Sequence, residues 1–179
     1  MSGFIVAFES TYGSTKQYAD DLATRLGTTA VDFEQARTDL QAQPGAILVV
    51  LSPVHGPSLP GAKFITDLSS SELDGHRVAL CTVGMTLDDA VIKKDGAAKA
   101  LGGKAKNVTR FYLPGRLNYS ELSNTHRATM WTVVNMLKAK PMKNDNDKMM
   151  IDTFDTDVDR VDLSRLDEVE QWARNSTAG

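Results

Sequence analysis

Cysteine is nearly absent from this chain. Cys81 is the single one among 179 residues, so no internal disulfide can form, and no Cys-x-x-Cys pair exists for thiol exchange or zinc. It lies in an apolar run and reads as a small buried hydrophobe. No Gly-x-x-x-x-Gly-Lys-Ser/Thr and no Gly-x-Gly-x-x-Gly occurs, which removes the triphosphate loop and the dinucleotide fingerprint. An excess of positive charge is missing too. The net charge is −3, and nothing favours nucleic acid as a partner. No apolar run approaches the roughly 20 residues of a membrane span. The first residues carry no basic stretch ahead of an apolar one, so no signal peptide is expected and the location reads as cytoplasmic. Internal repeats and low-complexity tracts are also lacking.

What is present is an ordinary globular composition, 41% apolar and 24% charged, in a chain long enough for one full core. Short apolar runs alternate with helical patterns. Strands are predicted at 3–8, 28–33 (weaker), 46–51, 77–83 and 106–113. Helices are predicted at 15–26, 62–69, 89–101 and 163–174, with a short helix or loop at 36–43. In the first helix Tyr18, Ala19, Leu22, Ala23 and Leu26 share a face, and Gly27 stops it. Gly96 weakens the middle of the helix at 89–101. Wholly apolar strands alternating with helices predict an α/β fold, a doubly wound parallel sheet with helices on both faces. The whole chain, residues 1–179, reads as a single domain.

The most informative stretch is the turn between the first strand and the first helix, Ser10-Thr11-Tyr12-Gly13-Ser14-Thr15. The first amides of a helix have no intrahelical partners, and the helix dipole adds about half a positive charge there. Four hydroxyls flank one glycine that lets backbone approach an anion, so the turn reads as a monophosphate seat. The same residues would equally serve as a well-capped helix start. Two further loops follow buried strands, Ser52-Pro53-Val54-His55-Gly56 and Thr82-Val83-Gly84-Met85. In open α/β sheets ligands sit at such strand ends.

With these three loops in hand, the chain resembles a flavodoxin over residues 3–113. Ser10-x-Tyr12-Gly13-x-Thr15 is similar to that family's FMN-phosphate loop. The resemblance implies a five-stranded sheet of order 2-1-3-4-5 and FMN as the cofactor. It places the phosphate on Ser10, Thr11, Tyr12, Gly13, Ser14 and Thr15. It places the flavin ring between Ser52, Pro53, Val54, His55 and Gly56 on one side and Thr82, Val83, Gly84 and Met85 on the other. Farther on, Gly115-Arg116-Leu117-Asn118-Tyr119-Ser120 and Lys138-Ala139-Lys140-Pro141 resemble the group that includes the menaquinone-dependent protoporphyrinogen IX dehydrogenases of heme biosynthesis. That implies an inserted helical segment over about 114–162 and an oxidoreductase with a small-molecule redox substrate or a quinone. A flavodoxin-type carrier docking a redox partner protein is the alternative. Neither ring-side loop holds an aromatic residue other than His55, and the net charge is mild for an electron shuttle. Both features suit transfer of electrons in pairs to small molecules.

Within 120–140, Leu122, His126, Met130, Val133, Val134 and Leu137 share one helical face, with Trp131 and Met136 widening it. Arg127, Lys138, Lys140 and Lys143 make the region basic. The face reads first as a cover for the sheet, with a peripheral membrane-surface or quinone-side role, covering an apolar ligand, or a dimer contact as alternatives. His126 reads as a polar core or interface residue. Residues 143–148 read as a polar loop without the glycine and terminal glutamate of a calcium loop. Asp155, Asp157, Asp159 and Asp162 read as a solvated stretch.

Overall fold

The computed structural model describes residues 3–55 and 57–175. β1 (Phe4–Phe8) is followed by α1 (Ser14–Leu26), β2 (Ala30–Val31), α2 (Phe33–Ala42) and β3 (Ile47–Pro53). Next come α3 (Pro60–Asp67), α4 (Ser70–Leu73), β4 (Val78–Gly84), α5 (Asp88–Lys94), α6 (Gly96–Leu101) and β5 (Val108–Pro114). The rest comprises β6 (Arg116–Leu117), α7 (Asn124–Ala139), α8 (Asp145–Asp152), β7 (Val158–Asp159) and α9 (Leu166–Arg174).

β1 to β5 form one parallel sheet in the order β2-β1-β3-β4-β5, as expected. Successive strand residues point to opposite faces, and each face carries its own core. Val6, Val49, Leu51, Cys81 and Leu113 pack against α1 and α9 through Tyr18, Leu22, Leu166 and Val169. Ile5, Val50, Leu80 and Val108 pack against α2, α3 and α6 through Leu40, Ile65 and Leu101. Cys81 is fully buried, and burial pushes its thiol well above the usual range. Among the described residues no helix is long and apolar enough to cross a membrane.

Several local expectations are corrected. The second strand is only two residues long, because Asp32 accepts a hydrogen bond from the Gln35 amide and starts α2 at Phe33. The single helix expected at 89–101 is two helices broken at Asp95, which is left-handed at φ 35°. There its carboxylate accepts from the Ala98 amide and from Arg110, local bonds that offset the unusual backbone. Residues 102–107 turn as a 3-10 helix, so β5 begins at Val108. The expected polar loop at 143–148 is the start of α8, where Asn144 and Asp147 form a reciprocal capping box. The Asp155–Asp162 stretch is tied down rather than merely solvated. Asp157 accepts from the Ser120 amide and hydroxyl, Asp159 pairs with Arg116, and β7 joins β6 antiparallel.

β5 lies at the sheet edge. Arg110 donates to the carbonyl of Val108 and Arg165 to that of Tyr112. Side chains thus occupy edge acceptors that another strand would otherwise use.

Gly61, in the first turn of α3, sits against β3. A Cβ there would lie 2.5 Å from Ser52 Cβ and 3.0 Å from both Leu80 Cδ1 and Val50 Cγ1. The Gly61 amide donates to Ser52 Oγ at 2.7 Å. Gly61→Ala is expected to lose about 1–3 kcal/mol through overpacking, read as a lower urea midpoint. An unchanged midpoint would mean that α3 shifts freely on the sheet.

Candidate functional site

The loops after β1, β3 and β4 converge at the carboxyl ends of the strands. They line a cavity of about 430 Å³. Thr11, Tyr12, Ser14 and Thr15 form one end; Pro53, Val54, His55, Val83, Gly84 and Met85 form the walls. Backbone bonds hold the loops in register. The Val54 amide donates to the Val83 carbonyl at 2.9 Å, and the Gly115 amide to the Gly84 carbonyl at 2.7 Å.

In the first of these loops the hydroxyls do not cap the helix. The residue ahead of α1 is Gly13, left-handed at φ 91°, and no side chain caps the helix. By contrast Asp32, Ser69, Ser123 and Asn144 cap α2, α4, α7 and α8. Ser10 Oγ accepts from the Gly13 amide at 3.1 Å, which shapes the turn without capping the helix. Ser14 and Thr15 are 8% and 1% exposed, and neither hydroxyl has a hydrogen-bond partner among the described residues. The first turn of this helix carries no acidic residue. Uncapped amides, two inward hydroxyls and a helix dipole make a donor set for an anion. Lys16 is engaged with Asp20 at 2.5 Å, so the donors that the turn offers are backbone amides and hydroxyls.

The ring-side residues divide. Pro53, Val54, His55, Val83, Gly84 and Met85 line the cavity. Ser52 does not: it is fully buried and its hydroxyl serves Gly61. Thr82 also points to the other sheet face, where its hydroxyl bonds the Phe111 carbonyl at 3.4 Å. There it borders a second groove, of about 1050 Å³, between β5 and the α5–α6 pair. Gly56 lies outside the described residues. Gly84 has a steric reason to be glycine, since a Cβ would meet Tyr112 Oη at 3.2 Å and Val54 Cβ at 3.4 Å.

The 120–140 helix, read first as a cover for the sheet and only second as a cover for an apolar ligand, roofs the cavity instead. Leu122, His126, Thr129, Met130 and Val133 of the α7 segment line the cavity, with Met150 of α8 and Gly115, Arg116 and Leu117 below. The helical spacing of these residues was visible, but not the surface they cover. The only buried residue of α7 is Val134, while Trp131 is 61% exposed. α8 also fixes the third loop: Asn146 Oδ1 accepts from the Leu87 amide at 2.9 Å. Arg160 donates to the Met85 carbonyl at 2.9 Å from the return segment.

Three rings stand at the mouth. The Tyr12 hydroxyl is hydrogen-bonded to His126 Nδ1, and Thr11 Oγ1 to His55 Nε2 at 3.0 Å. Burial, then the His126 imidazole, pushes the His55 imidazole below the ordinary histidine range, with Glu9 pulling the other way. Neutral His55 is thereby favoured.

No curated protein matches the chain. A family model described as the flavodoxin domain matches residues 5–144, running from β1 through the cavity roof of α7. With the sheet order and the three loops already in place, the match identifies the chain as a member of the flavodoxin domain family.

Proposed function

We propose that this protein is an FMN-binding redox protein, and that it oxidises or reduces a small apolar substrate instead of serving as a carrier. The observation that carries the cofactor reading is the uncapped start of α1. A helix of 13 residues opens on Gly13, with Ser14 and Thr15 lining the cavity and no hydrogen-bond partner for either hydroxyl among the described residues. Flavodoxin domains typically bind FMN, and this donor set fits its phosphate. Ser10, Thr11, Tyr12, Gly13, Ser14 and Thr15 would hold the phosphate. Pro53, Val54, His55, Val83, Gly84 and Met85 would bound the ring. Ser52 and Thr82 would act from behind, as supports for the loops. Bound FMN supplies the exchange of electrons, singly or in pairs. The chain supplies position, shielding from water and hydrogen bonds.

The roof supports the substrate reading. Leu122, Met130, Val133 and Met150 give the cavity an apolar cover, and flexible methionines adapt to varied apolar shapes. Such a cover suits a flat apolar reductant or oxidant, and the finer reading is quinone-dependent oxidation of a porphyrinogen-like substrate. Titration of purified protein with FMN, followed by stepwise reduction in the visible range, tests both levels. A perturbed flavin spectrum with reduction in one two-electron stage is expected. Free-flavin behaviour throughout removes the cofactor reading. Two resolved one-electron stages, with no turnover of protoporphyrinogen and a menaquinone analogue, favour the carrier.

A further inference from the structure

The groove of about 1050 Å³ beside β5 adjoins the candidate cavity. It follows the outer edge of β5 from Val108 to Tyr112, between α5–α6 on one side and Arg165 and Glu168 on the other. Val54, Pro57 and Thr86 line both spaces, so the groove begins where the cavity ends. At that end the Tyr112 hydroxyl donates to the Thr86 carbonyl at 2.7 Å, which ties the strand to the third loop. α5 buries none of its residues, and its Val91 and Ile92 line the groove.

We propose that this groove takes a long apolar chain carried by the redox substrate, whose flat head lies in the cavity. The inference rests on the small-molecule reading above and adds a chain to its substrate. The lining favours such a chain over a peptide. An added strand needs the edge carbonyls of β5, but Arg110 already donates to that of Val108 and Arg165 to that of Tyr112. Both guanidinium groups are paired in turn, with Asp95 and Asp88. Asp88 Oδ1 has no partner, but it is buried out of an occupant's reach. The Thr82 hydroxyl is spent on the Phe111 carbonyl. Between these internal pairs the wall is apolar, through Val54, Leu59, Val91, Ala97 and Phe111. Lys94, Lys99 and Glu168 are exposed, so their charges reach water beside an occupant. At about 3.3 Å per residue, Val108 to Tyr112 spans about 13 Å, the length of an extended chain of about ten carbons.

The probes are methylnaphthoquinone and the same ring bearing a decyl chain. Dissociation constants are measured by calorimetry on the FMN-loaded wild type, Ala100→Trp and Val91→Asp, with melting temperatures as a check. Ala100 is exposed and lines the groove but not the cavity, so tryptophan there fills the groove without threatening the fold. Val91→Asp sets a charge on the half-buried groove wall. The wild type is expected to bind the chain-bearing ring at least about 30-fold more tightly than the bare ring, because the chain leaves water. Each variant is expected to lose most of that preference and to bind the bare ring within about threefold of the wild type, since neither touches the cavity. Equal affinity of the wild type for the two quinones overturns the groove, and so does a preference that survives in both variants. A loaded wild type that binds neither quinone overturns the substrate reading itself, and the chain with it. A protein that takes up no FMN fails earlier, in the flavin titration, and removes the cofactor reading.

Discussion

Aspartate in place of Ser14 should abolish FMN binding and leave the fold at least as stable. Ser14 is the first residue of α1, its side chain is buried toward the cavity, and the first turn has no acidic residue or side-chain cap. A carboxylate there meets the helix dipole and the open amides, a gain of about 0.3–1 kcal/mol for the folded protein. The same carboxylate occupies the donors that a phosphate dianion needs and repels it. Like charges brought together in a binding site cost several kcal/mol, a loss of about 100-fold or more in affinity. Ser14→Ala removes one hydroxyl and leaves the amides open, so its loss should stay within about tenfold. Titration with FMN and a thermal melt on the same samples give the two signs separately. Wild-type affinity in Ser14→Asp would place the phosphate elsewhere. Weak binding accompanied by a collapsed melt would reduce the result to misfolding.

The opposite signs follow from how the chain departs from its own habits. Five other helices, α2, α4, α6, α7 and α8, start on a side chain that accepts an amide hydrogen, while α3, α5 and α9 do not. α1 starts on glycine although hydroxyl residues flank it on both sides. Leaving those amides open costs stability that a single carboxylate would restore. Sites where local consistency is broken without local compensation are where ligands are expected.

The sheet was legible because its signal is local and redundant. Val6, Val49, Leu51 and Cys81 sit in short apolar runs, and each run is buried on both faces, so pattern alone sufficed. The uncapped, hydroxyl-rich turn before α1 was legible for a related reason: it is contiguous in sequence. The ring-side loops were half legible. Ser52 and Thr82 sit beside true cavity residues, but strand alternation turns both onto the far face. That parity could have been counted from Val50 and Leu80, which lie on the same side. His126 could not be placed this way. It meets Tyr12 across 114 positions, and neither the turn after β5 nor the path back through β7 fixes where α7 lands. The break at Asp95 was signalled only as a weak point at Gly96, because Asp95 is held by Arg110, a partner 15 residues away on β5.

Phenylalanine at position 18 should cost the fold more than any other single-oxygen change described above. Tyr18 is fully buried. Its hydroxyl donates to the Pro114 carbonyl at 2.6 Å and accepts from the Asp162 amide at 2.9 Å. One oxygen thus fastens α1 to the end of β5 and to the segment that enters α9. Phenylalanine keeps the ring volume, so no cavity opens, but a carbonyl and an amide lose their partner. At about 1–3 kcal/mol for each buried group left unpaired, the expected loss is about 2–4 kcal/mol. At this chain length that lowers the melting temperature by roughly 5–15 °C. A second sign follows from titration. Burial raises the Tyr18 phenol above its usual range, and burial does the same to Tyr112 and Tyr119. Their stabilising contribution is complete below the unfolded phenol pKa of about 10 and fades as pH climbs toward the raised folded values. The wild type should therefore weaken above about pH 10, and Tyr18→Phe should weaken less steeply there because one of the raised phenols is gone. Urea unfolding at neutral pH and again above pH 10 reads both effects. Equal neutral-pH stability in the two proteins would mean that the Pro114 carbonyl and Asp162 amide find other partners. In that case α1 would be held by its apolar face, through Leu22, Ala23 and Leu26, and by Arg25, which donates to Asp167 and to the Leu163 carbonyl.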